Sequence, residues 1–139
     1  MKKQISFTTD IFATERPPEL SDRQLGEDLA TWLAKAASGG DFVFGTPHQS
    51  EWGWTIDARS GNENFLVGCG IMNESFGDAQ ADWLITVERV RRWKFLGAKD
   101  SRLRSDLCDL IQNVLRDKPH IREIRWTDHV GHFAPKKLA

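Results

Sequence analysis

Trp52-Gly53-Trp54-Thr55-Ile56-Asp57, then Arg59-Ser60-Gly61-Asn62, then Phe65-Leu66-Val67-Gly68-Cys69-Gly70-Ile71: this run through the middle of the chain decides the fold. Side chains alternate along an extended backbone, so Trp52, Trp54 and Ile56 are expected on one face and Gly53, Thr55 and Asp57 on the other. The cluster at 59–62 is turn chemistry, and the nearly continuous apolar run after it reads as a second strand. A connection this short joins antiparallel neighbours, because a parallel return needs a crossover of about a dozen residues or more.

Working outward, Trp83, Ile85 and Val87 alternate with Leu84, Thr86 and Glu88, which predicts a third strand of the same meander. On the other side, Phe42 and Phe44 alternate with Asp41 and Val43 before Gly45-Thr46-Pro47 interrupts the strand. Gln4-Ile5-Ser6-Phe7-Thr8 predicts a first strand, and 120–126, with Ile124 and Trp126 inward, a last one. Two helices separate these strands. Ser21-Asp22-Arg23-Gln24 has the form of a capping box, with Leu20 and Leu25 placed as a hydrophobic staple. Leu25, Leu29, Trp32, Leu33 and Ala36 then recur every three to four residues, which predicts a helix over 21–38, closed by Gly39-Gly40. Leu103, Leu107, Leu110, Ile111 and Val114 give the second helix, opened near Gly97 to Ser101 and stopped by Pro119. The result is an α+β fold: a mainly antiparallel sheet of five to six strands, order β-α-β-β-β-β-α-β, with both amphipathic helices packed on one face.

The chain has 139 residues, which is the size of one domain, and 40% apolar against 28% charged residues excludes a disordered composition. A single α+β domain over 1–139 is expected, with 134–139 a disordered tail. No apolar run reaches 18 residues, so no membrane helix is predicted. No secretory pattern opens the chain, and Cys69 and Cys108 are too few for a disulfide framework, so a reducing, cytoplasmic setting is expected.

The formal net charge of -1 conceals a division: residues 1–88 carry -8, residues 89–104 carry +6 and the remainder +1. The basic stretch precedes the second helix, whose start presents unpaired N–H groups and a partial positive charge. Arg91, Arg92, Lys99 and Arg102 are therefore candidates to bind an anion or an acidic partner, although no phosphate-loop glycines accompany them. A solvated basic turn is the plainer reading. Trp52 and Trp54 are candidates for an aromatic platform, set against the plainer reading that they lie in the core with Ile56. Basic residues are not interleaved with these aromatics, so nucleic-acid binding is not expected.

Asp128, His129 and His132 are close enough in sequence to ligate a transition metal, but they lie in the tail with no cysteine nearby, and no metal or other cofactor is expected. His48, Glu51 and Asp57 are acid–base residue types, but the strand reading puts His48 and Asp57 at opposite ends, so no catalytic residue is assigned. Cys69, between two glycines of an apolar strand, and Cys108, beside a helix core face, read as small buried hydrophobes.

The Glu51-Trp52-Gly53-Trp54 strand start, taken with 117–126 ending in Ile124-Arg125-Trp126, resembles a set of small bacterial α+β proteins of about this length. That likeness covers about the last two-thirds of the chain and implies the same fold and a bacterial cytoplasmic origin; no activity comes with it. The expected function is that of a non-enzymatic protein-interaction module whose polarised surface meets a protein partner, one form being a toxin-neutralising immunity protein. The alternatives are a small-molecule or anion-binding module at the basic start of the second helix, and an enzyme of unidentified class.

Overall fold

The computed structural model describes residues 2–12, 24–73, 81–90 and 102–127. Strands β1 (Lys2–Thr9), β2 (Val43–Phe44), β3 (His48–Gln49), β4 (Trp54–Ser60), β5 (Glu63–Asn73), β6 (Ala81–Val90) and β7 (Ile121–Thr127) form one sheet; the helices are α1 (Glu27–Ala36) and α2 (Arg102–Asp117). The sheet order is β2-β4-β5-β6-β1-β7, with β3 also paired to β4, and every pairing is antiparallel. This is an α+β fold. The strand at 43–44 and the two-residue β3, which the sequence did not announce, border β4 on either side of Gly45-Thr46-Pro47. The Gly45 N–H donates to the Asp57 carbonyl at 2.8 Å, so the interrupted edge stays against β4.

Gly61 and Asn62 close the β4–β5 hairpin between the paired residues Ser60 and Glu63, and Gly61 has φ +59, which a two-residue hairpin turn demands. Each strand of the meander then divides as alternation requires. Ile56 and Ala58, Phe65, Val67 and Cys69, Trp83, Ile85 and Val87, and Ile5 and Phe7 all point to one face and are buried. Both helices pack there: Leu29 and Leu33 of α1 and Leu107, Ile111 and Leu115 of α2 belong to the same core cluster. α1 lies over β4 and β5, α2 lies over β6 and β7, and the two helices touch. A buried Leu, Ile or Phe contributes about 1.5–3 kcal/mol, so this one continuous layer is the main source of stability.

One boundary differs from the sequence expectation. α1 starts at Glu27, not at 21, and its N-cap is Gly26, with φ +117 and no side-chain cap. Gln24 is outside the helix, with its side chain hydrogen-bonded to the carbonyl of Glu51 rather than closing a capping box. Gly26 passes the sheet at φ +117, a left-handed conformation outside the right-handed helix, and a Cβ there would stand 3.0 Å from the Cys69 carbonyl oxygen, so glycine suits the position on both counts. α2 is described from Arg102, next to the expected opening at Ser101, which itself lies outside the described residues. The expected disordered tail at 134–139 lies outside the described residues.

Candidate functional site

Two pieces of backbone converge on Cys69. Gly26 meets its carbonyl from the entrance to α1, and Gly53 meets it from the approach to β4, where a Cβ would stand 2.1 Å from the same oxygen. Gln24, two residues before Gly26, fastens the junction. Its N–H donates to Gln49 Oε1 at 2.8 Å, its Nε2 donates to the Glu51 carbonyl at 2.8 Å, and its own carbonyl accepts from Trp54 Nε1 at 2.9 Å. The turn bearing Glu51 is therefore held beside the start of α1, which bears Glu27 and Asp28. All three carboxylates are exposed, and the bond to the Glu51 carbonyl places that turn beside the helix start that carries Glu27 and Asp28. Glu27 and Asp28 occupy the first turn of α1, where negative charge complements the helix dipole.

Trp52 and Trp54 do not share a face. Trp54 is in the core, 6% exposed, beneath α1. Trp52 precedes the strand and lies on the opposite side, its ring over Gly68 and Gly70, where added Cβ atoms would stand 2.7 Å from Trp52 Cζ2 and 2.3 Å from Cε3 and Cζ3. The alternation rule fails because residues 51–53 are a bend rather than extended strand. The two indoles accordingly form no common platform. Gly68 and Gly70 are the track on which Trp52 rests.

Of the basic candidates, Arg102 is exposed at the start of α2, 4.0 Å from Asp106 one turn on, and Arg91, Arg92 and Lys99 lie outside the described residues. Arg104, by contrast, is 2% exposed and turned toward the core. The register places His48 opposite Thr55, two residues from Asp57 and closer than the sequence suggested; both side chains are exposed and no hydrogen bond or ion pair joins them. Cys69 is fully buried, and loss of solvation pushes its thiol well above the ordinary range, which leaves it protonated and unreactive. Cys108 is buried too. Among the described residues no three His, Cys, Asp or Glu side chains gather as a metal site, and Asp128, His129 and His132 lie outside them.

The sheet face opposite the helices holds a feature that sequence reading missed. Gln4 and Thr86, directly paired between β1 and β6, are buried there although both alternate as polar, outward positions. No periodicity distinguishes such a residue from a solvated one. Compared with known protein families, curated proteins and solved structures, the chain matches none. No helix among the described residues is long and apolar enough to cross a membrane.

Proposed function

We infer that this protein works by binding a basic protein partner on its carboxylate-rich surface, centred on the corner where Glu27, Asp28 and Glu51 meet. The observation that carries this reading is the exposure pattern. Among the described residues up to 88, the exposed ionised side chains are the six carboxylates of Asp10, Glu27, Asp28, Asp41, Glu51 and Asp57 against the two bases Lys35 and Arg59. Apolar side chains from both helices go into the core, so among the described residues of this part of the chain the exposed charge is mainly carboxylate. Such a field steers a positively charged protein and speeds its capture. The Gln24 bonds favour recognition further, because a corner fixed in advance loses little freedom on binding. Neutralisation of a toxin with a basic working surface, in the cytoplasm, is the specific form of this role we favour, by analogy of size and charge.

The test is affinity capture with the wild-type chain and with the triple variant Glu27→Gln, Asp28→Asn, Glu51→Gln. A basic protein should be retained by the wild type at low salt, released as salt shortens the reach of charge, and lost on the variant. Equal recovery on both chains, or recovery indifferent to salt, would overturn the reading.

A further inference from the structure

Among the described residues the sheet has one long border. On the far side β2 and β3 are two residues each, parted by Gly45-Thr46-Pro47, and segments so short are poor templates for another chain. β7 runs from Ile121 to Thr127 and, among the described residues, pairs with β1 alone. Such a strand carries a row of N–H and C=O groups on which a second copy of the chain can pair.

β7 is not regular, however. Thr9 pairs with Ile121 and Thr8 with Arg122, whereas Ser6 pairs with Arg125 and Ile5 with Trp126, so Glu123 and Ile124 share the place opposite Phe7. One residue is extra, which makes this a β-bulge. Glu123 holds φ +56, a left-handed conformation that a side chain other than glycine takes at a cost. Its carboxylate lies 3.7 Å from Arg125, but both groups are largely exposed, and such a pair contributes little.

The core does not need the extra residue. Ile121, Ile124 and Trp126 all pack against it. With Glu123 left out, the segment reads Ile121-Arg122-Ile124-Arg125-Trp126, in which strict alternation sends the same three side chains inward. Both ends of β7 are tied independently: Thr9 Oγ1 donates to the His120 carbonyl at 2.7 Å, and Trp126 Nε1 donates to Gln112 Oε1. What the bulge does change is the border, because it bends the strand and breaks the row of pairing groups. Charge acts in the same direction. Two copies of a regular β7 related by a two-fold axis through Ile124 would keep their core residues on one side and set Arg122 of one chain opposite Arg125 of the other. Like charges directly opposite repel.

We propose that Glu123 is an edge guard: a strained extra residue that, with Arg122 and Arg125, keeps β7 from pairing with β7 of a second copy and so holds the chain single.

The experiment measures the mass of the full chain in solution by light scattering. Deletion of Glu123 together with Arg125→Glu straightens β7 and sets Arg122 of each copy against the new carboxylate at 125. That variant should double in mass as its concentration rises, whereas the wild type and Arg125→Glu alone, both bulged, should keep the mass of one chain. Glu123→Gly retains the bulge and takes φ +56 freely, so it should remain single with a raised urea midpoint. This second measurement serves should the deletion prevent folding. A doubled mass in the wild type or in Arg125→Glu, a single-chain mass in a folded deletion variant, or a Glu123→Gly midpoint no higher than that of the wild type would overturn the proposal.

Discussion

Trp52 lies against Gly70 so closely that a Cβ on that glycine would come within 2.3 Å of two atoms of the indole ring. The pairing of a large flat side chain with a missing one explains two features together. It gives the face opposite the helices an aromatic cover without a third helix, and it accounts for glycines inside a central strand, where they otherwise weaken pairing.

Substitution of the glycines separates soft from hard contacts. Gly70→Ala must displace the half-buried Trp52 side chain and should cost about 1–3 kcal/mol, the range for overpacking. Gly53→Ala meets the main-chain oxygen of Cys69 at 2.1 Å, which cannot yield without parting β5, and should cost more. Gly40→Ala meets nothing within 4 Å and should be neutral or stabilising by up to about 1 kcal/mol. Urea midpoints should fall in the order Gly40→Ala, Gly70→Ala, Gly53→Ala, and a midpoint for Gly53→Ala above that of Gly70→Ala would remove the Cys69 junction from this account.

Cys69 makes stability depend on alkali. Burial raises its pKa in the folded state, so the unfolded chain gives up the thiol proton first as pH rises. The contribution is complete below the ordinary thiol pKa of about 8.5 and falls by up to about 1.4 kcal/mol per pH unit above it. Unfolding measured from pH 7 to pH 10 should show this decline in the wild type and a shallower one in Cys69→Ala. Identical slopes would mean that the thiol does not carry the effect.

The strands of the meander and the core faces of both helices were legible because burial imposes a period of two or 3.6 on them: Ile5 and Phe7, Trp83, Ile85 and Val87, Leu29 and Leu33 all lie where alternation puts them. What could not be read depends on contacts between segments far apart in sequence. Ser21 to Gln24 looks like a helix start by every local criterion, yet Gly26 passes the Cys69 carbonyl at φ +117 and α1 starts only at Glu27. Trp52 followed the pattern of Trp54 and Ile56 on paper, but one bend before the strand sends it through to the other face. The acidic half of the sequence was visible in composition, whereas the placing of Glu51 beside the start of α1 depends on Gln24 reaching the turn at 49–51.

Trp83 holds an indole N–H with no acceptor among the described residues, although the side chain is wholly buried beside Phe12, whose ring centre is 5.8 Å away. An unmet buried donor carries a penalty of about 1–3 kcal/mol. Trp83→Phe keeps an aromatic ring and sheds that donor, so its net cost should fall below about 2 kcal/mol, whereas Trp83→Ala should lose about 3–5 kcal/mol to the cavity. Chemical denaturation distinguishes them, and similar losses for both would show that the N–H is satisfied in solution.

Gly26 and Trp54 serve one junction and should therefore couple. At φ +117 an alanine replacing Gly26 is strained by about 1–2 kcal/mol, and its Cβ would press on the Cys69 carbonyl at 3.0 Å with Trp54 Cδ1 at 3.7 Å. Trp54→Phe removes the bond to the Gln24 carbonyl, about 1 kcal/mol, besides some packing. Once either change has loosened the passage from residue 24 into α1, the other has less left to break. The double variant should thus be less destabilised than the summed singles by about 0.5 kcal/mol or more, as neighbours in one network are. A double-mutant cycle in urea measures the term directly, and strict additivity would mean that the Gln24 bond and the Gly26 passage stabilise the fold separately.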